Sequence, residues 1–169
     1  PPAFEAWSET VNVPADWTTV LLPDWKKGVP LVMNAWPVTE RGEVHVPPDV
    51  YPLLKFLKES RYVLGMVSNR DEPYHDEMKN LKLESYFKFI LAGGEVNSFK
   101  PDILIFERAL ELAGTSAQET IYIGDNYFAD IVGSRRAGLV PVLYDPVSLF
   151  PDAECTTIRS FAELPPLLS

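Results

Sequence analysis

From Pro47 onward, short apolar runs alternate with segments of helical periodicity, and this alternation limits the fold more than any other feature. Val50, Leu53, Leu54 and Leu57 recur at helical spacing behind Pro47-Pro48, where proline suits a first turn. The run 62–67 reads as a strand and 71–83 as a helix with Pro73 in its first turn. Further strands are expected at 89–91, 120–123 and 139–144, with a short last one within 152–158. Residues 92–98 read as a loop holding Gly93-Gly94. The next helix has Ile103, Phe106, Ala109, Leu110 and Ala113 on its apolar face and is closed by Gly114. Another helix carries Asp130, and residues 160–168 form a terminal helix limited by Pro165. Such a chain predicts an α/β fold, a Rossmann-like parallel sheet with helices on both faces. Right-handed crossovers then bring the strand carboxyl ends to one edge, where ligands bind.

The first 46 residues differ. They hold all four tryptophans (Trp7, Trp17, Trp25 and Trp36), with Pro14, Pro23, Pro30 and Pro37 set among them. Prolines at that density break long helices and central strands. Short helical pieces are expected over 2–10 and 15–27, the second kinked or ended by Pro23. Residues 1–46 thus read as a partial helical cap or linker region and 47–169 as the core. His45 has no ligand set near it in sequence.

Composition narrows the partners. With 46% apolar and 23% charged residues, the chain can build a core. A net charge of -9 argues against nucleic acid or an anionic membrane as partner, because both need basic patches. A small anionic substrate stays possible at a locally positive site. Cys155 is the only cysteine, so no internal disulfide forms, which is compatible with a cytoplasmic setting. No apolar run approaches the roughly 20 residues of a membrane span.

The predicted strand ends gather chemistry. Ser68 and Asn69 follow the run 62–67, Lys100 lies in the loop after 89–91, and Asp125 follows 120–123 with Asp130 five residues on. A hydroxyl and an ammonium bind phosphate oxygens. Backbone N–H groups of a helix start behind Ser68 would add donors. A facing carboxylate can hold Mg2+ together with phosphate oxygens and water. Each residue also has a plain structural reading: Ser68 or Asp125 as a helix cap, Asp130 as a dipole partner, Lys100 as a solvated surface lysine.

Three stretches carry a family resemblance. Val67-Ser68-Asn69 resembles motif II of the haloacid dehalogenase superfamily, and Phe99-Lys100-Pro101-Asp102 with Ile105-Phe106 and Ala109-Leu110 resembles motif III. Gly124-Asp125-Asn126 through Asp130, then Gly133 and Ala137-Gly138, resembles motif IV. The likeness covers about 46–168 and favours the phosphatase branch. It implies that Ser68, Asn69 and Lys100 bind the substrate phosphate, that Asp125 ligates Mg2+, and that Lys100 and Asp130 serve catalysis. It further implies a small phosphorylated substrate hydrolysed through an aspartyl-phosphate.

The departure lies in motif I. No Asp-x-Asp occurs anywhere in the chain. Val20-Leu21-Leu22-Pro23-Asp24 has Lys26 where the second acid belongs, and Leu31-Val32-Met33-Asn34 has Asn34 and Trp36 at the two acid positions. Neither an amide nor an indole replaces those carboxylates. Three explanations follow: an N-terminally truncated piece of a capped phosphatase, a catalytically inactive binding or scaffold domain, or an unrecognised nucleophile. Loss of the central motif I strand would leave unpaired backbone on its neighbours. The chain is therefore expected to be poorly stable alone, or to fill the gap with another segment. Monomer and homodimer both remain open.

Overall fold

The computed structural model describes residues 18–23, by their backbone, and 46–168. The expected helical piece 2–10, the candidate strand 31–34, the four tryptophans and His45 lie outside the described residues.

The strands are β1 (Thr18–Pro23), β2 (Gly65–Ser68), β3 (Phe89–Ala92), β4 (Thr120–Gly124), β5 (Val140–Tyr144) and β6 (Thr156–Ile158). They form one sheet in the order β3-β2-β1-β4-β5-β6. Strands β2 and β3 pair in parallel, as do β4 with β5 and β5 with β6. Strand β1 runs antiparallel to both of its neighbours, Thr18 facing Ser68 and Val20 facing Ile123. Strands β2 to β6 therefore share one direction, and their carboxyl ends share one edge.

β1 corrects the helical expectation over 15–27. Thr18-Thr19-Val20-Leu21-Leu22 is β-branched and apolar, and pairing on both sides satisfies backbone groups that a lone turn of helix would leave open. The gap between β2 and β4 is thus filled by a segment of this chain.

The helices are α1 (Val50–Glu59), α2 (His75–Asn80), α3 (Gly93–Val96), α4 (Ile103–Ala113), α5 (Gly133–Arg136) and α6 (Leu164–Leu167). In α1 the expected face of Val50, Leu53, Leu54 and Leu57 is buried. Each such side chain contributes about 1.5–3 kcal/mol by leaving water, an upper bound. Asp49, just ahead of α1, accepts hydrogen bonds from Ser160 Oγ (2.7 Å) and the Phe161 N–H (2.9 Å), tying the helix to the chain's end. Asp102 caps α4 by accepting from the Leu104 N–H at 2.9 Å. Gly114 ends it at φ 76°, a left-handed angle that favours glycine. The face of α4 turned to the core is Ile105, Phe106, Ala109 and Ala113, with Ile105 buried where Ile103 was expected. Phe106 meets Tyr122 of β4 edge-on at 4.9 Å.

Three further expectations change. The helix after Ser68 starts at His75, not at 71, so a six-residue connection separates the hydroxyl from the helix start. The Gly93-Gly94 stretch is helical, because the Glu95 carboxylate accepts from the Ala92 N–H (2.7 Å) at its head. The terminal segment is a 3-10 turn, Phe161–Glu163, followed by α6.

Tyr74 packs in the core, and its hydroxyl has no hydrogen-bond partner among the described residues. Burial pushes its ionisation well above the ordinary value of 10.0, offset in part by Arg70 and reinforced by Glu95 and Glu77. A raised value means that the neutral phenol's contribution is intact below about pH 10 and is lost as pH rises further. Tyr74→Phe is expected to gain about 1 kcal/mol near pH 8 and to flatten the alkaline loss. Urea unfolding near pH 8 and again above about pH 10 checks this, and a variant less stable than the parent at each would contradict it.

Candidate active site

The parallel strands deliver the predicted residues to one edge. Ser68 ends β2 and is fully buried. Asn69 follows it. Its Nδ2 donates to the Lys100 carbonyl (2.9 Å), and its Oδ1 accepts from the Lys100 N–H (2.7 Å). The amide thus holds Lys100 by the backbone on both sides, a positioning contact that the motif alone did not reveal.

Lys100 turns inward. Its Nζ lies 2.8 Å from Asp130 Oδ1, and the two side chains are 1% and 0% exposed. The ammonium also sits 5.9 Å from the centre of the Tyr122 ring. Lys100 is therefore a buried, paired cation and not a solvated surface lysine. An ammonium has three donors, so its pairing with Asp130 is compatible with a phosphate contact.

Asp130 belongs to a π-helical segment, Tyr127–Val132, that leads into α5. Its Oδ2 accepts from the Asn126 N–H (3.0 Å), and its own N–H donates to the Asn126 carbonyl (2.8 Å). Its partners are thus an ammonium and a strand-end amide. The cap of this segment is Asn126, whose Oδ1 accepts from the Ala129 N–H (2.8 Å). The capping role that the sequence allowed for Asp125 is filled by its neighbour. An Asn three residues ahead of the bonded N–H is the spacing that signals such a cap.

Asp125 follows Gly124, the last residue of β4, and is half-buried at the open edge. Next to it, Tyr144 ends β5; burial raises its phenol above the ordinary 10.0, and the charges of Asp49 and Asp125 add to that rise. The connection after Ser68 is braced as well. The Arg70 guanidinium forms a two-bond pair with Glu77 and lies 5.0 Å from the Tyr74 ring centre, while its carbonyl accepts from the Gly94 N–H (3.0 Å).

Whether Mg2+ fits can be judged from these donors. Among the described residues no group of three or more His, Cys, Asp and Glu side chains forms a metal cage. Asp130 is committed to Lys100 and Asn126. Asp125 brings a carboxylate to the edge that also carries the Ser68 hydroxyl and the Lys100 ammonium. Mg2+ is commonly held by one or two carboxylates together with substrate phosphate and water, so the donor set fits a site that the substrate completes.

Known proteins share this fold. A family model for haloacid dehalogenase-like hydrolases matches residues 24–143, and the chain belongs to that family. It is similar to the glyceraldehyde 3-phosphate phosphatase of Methanopyrus kandleri, at 33% identity over 96 residues, 56% of this chain and 41% of that protein. It is also similar to the crystal structure of a 2-haloacid dehalogenase from Pseudomonas syringae, at 29% identity and TM-score 0.67, covering 76% of this chain and 56% of that one. The HAD-hydrolase YfnB of Bacillus subtilis, solved bound to magnesium, matches at 26% identity and TM-score 0.63, covering 72% of this chain and 54% of that one. The chain spans less than half the length of the curated relatives it matches. Among the described residues no helix is long and apolar enough to cross a membrane.

Proposed function

We propose that this chain is the phosphate-holding part of a Mg2+-dependent phosphatase that acts on a small phosphate ester in the cytoplasm. The observation that carries the reading is the buried Lys100–Asp130 pair at the edge shared by Ser68 and Asp125. In this reading the Ser68 hydroxyl donates to one phosphate oxygen and the Lys100 ammonium to another. Asn69 fixes the Lys100 backbone, and Asp130 holds the ammonium in place. Asp125 would hold Mg2+, which neutralises phosphate charge when bound. Hydrolysis through an aspartyl-phosphate needs a carboxylate nucleophile in addition, and no Asp-x-Asp supplies one in this sequence. The phosphatases among the curated relatives support the substrate class.

One observation favours a second reading, a binding domain without turnover. The middle of the site's edge is held by the amino end of β1, Thr18, and not by the carboxyl end of a parallel strand. Both readings predict phosphate binding, and only the first predicts turnover of an ester once a nucleophile is present.

Calorimetric titration with inorganic phosphate, with and without Mg2+, tests the shared part. Binding is expected to strengthen with Mg2+. Asp125→Asn is expected to remove at least about tenfold of that gain and to leave the melting temperature nearly unchanged. Phosphate affinity indifferent to both Asp125→Asn and Ser68→Ala would sink the assignment.

A further inference from the structure

Asp125 stands in the chain between two residues that both meet the Asp130 carboxylate. Ahead of it, Gly124 has no side chain, and a Cβ there would run into Cβ, Cγ and Oδ2 of Asp130. Behind it, the Asn126 N–H donates to Asp130 Oδ2 at 3.0 Å. A peptide unit is planar, so that N–H shares its plane with the Asp125 carbonyl. The bond therefore fixes how the backbone leaves Asp125. The other oxygen of the same carboxylate takes the Lys100 ammonium at 2.8 Å. One buried carboxylate thus sets the backbone beside Asp125 and the head of Lys100 together.

This bracket keeps its shape only while the turn from 126 to 130 keeps its own. Asn126 closes that turn with two more bonds. Its carbonyl accepts from the Asp130 N–H (2.8 Å), and its Oδ1 accepts from the Ala129 N–H (2.8 Å). Any residue at 126 can make the first bond, whereas the second needs a short side chain with an oxygen. The backbone of Asn126 is extended, at φ -87° and ψ 105°, as a capping residue requires. The segment it caps, Tyr127–Val132, is π-helical, a form that is rare in proteins and gathers at functional sites.

We propose that Asn126 is a positioning residue of the site: its side chain holds the turn that carries Asp130, and through Asp130 it aims the Asp125 carboxylate for Mg2+. The inference rests on the reading of Asp125 as the Mg2+ ligand at a phosphate site formed with Ser68 and Lys100. Mg2+ demands near-ideal octahedral geometry, so a carboxylate whose backbone can turn holds it less well. An alanine at 126 takes the Oδ1 acceptor from the Ala129 N–H and frees the turn to open.

The test titrates the full chain with inorganic phosphate, with and without Mg2+, and reads the factor by which Mg2+ strengthens binding. Asn126→Ala is expected to shrink that factor about fivefold, the size of one lost cap. Asn126→Ser keeps a capping oxygen and is expected to bring the factor back to within about twofold of the parent. Gly114→Ala controls for stability alone. It strains the left-handed φ of 76° at the end of α4, ahead of the start of β4 and away from the site's edge. This variant is expected to melt earlier and to leave the factor unchanged. An unchanged factor in Asn126→Ala, no recovery in Asn126→Ser, or an equal loss in Gly114→Ala would each overturn the positioning role while leaving the phosphate site in place. A parent chain that binds no phosphate, or gains nothing from Mg2+, would overturn the role together with the reading on which it rests.

Discussion

Asp130→Asn is expected to cost about 3–5 kcal/mol of stability, the penalty for leaving one partner of a buried ion pair uncompensated. The substitution keeps the volume and an oxygen, so packing is not the cause. What remains is an ammonium with 1% of its side chain exposed that has lost the carboxylate 2.8 Å away. A protein of this size has about 5–15 kcal/mol in all, so the variant sits close to unfolding. Lys100→Met removes the cation, so Lys100→Met/Asp130→Asn is expected to recover at least half of the loss. Urea denaturation of the two single variants and the double variant measures this as a coupling. Additive losses would show that the pair is not the source of the effect.

Gly124→Ala is expected to disable the site from behind. A methyl group there would stand 2.4 Å from Cβ, Cγ and Oδ2 of Asp130. Strand β4 is paired on both sides and buried throughout, so its backbone cannot withdraw. Asp130 has to move, and its contact with Lys100 goes with it. Overpacking alone costs about 1–3 kcal/mol, and loss of the ion pair adds to that. A melting temperature within a degree of the parent, with phosphate affinity intact, would contradict the argument. Thermal unfolding and phosphate titration of the same preparation decide it.

Much of the core was legible because its signals are local. The apolar runs of β2 to β5 are fixed by period and composition, and α4 announces itself with Asp102 ahead and Gly114 behind. The gathering of the candidate residues at one edge was legible, since Ser68 ends a strand and Lys100 and Asp125 lie beyond strand ends in a fold whose strand ends converge. What escaped was decided by partners distant in sequence. Thr18–Pro23 suits a helix or a strand by itself, and only the open flanks of β2 and β4 choose between them. Nothing in the sequence signals that the two polar atoms of Asn69 bond the backbone of Lys100, 31 residues away. The early end expected for the connection after Ser68 gave way to the Arg70–Glu77–Tyr74 brace, which no periodicity encodes.

The direction and place of β1 also govern how the two halves of the molecule hold together. Among the described residues, in the plane of the sheet, β3-β2 and β4-β5-β6 touch each other only through that single strand. Ser68 rides on one half and Asp125 on the other, so the candidate site straddles a seam. Above the seam runs one polar suture: Asn69 grips the Lys100 backbone, Lys100 reaches Asp130, and Asp130 takes the Asn126 amide. A force that parts the halves is borne in parallel by the ladder of β1 and by this chain of contacts. The core packed across both halves, Phe106 against Tyr122 among it, shares that load, so the spacing of Ser68 and Asp125 depends on all three at once.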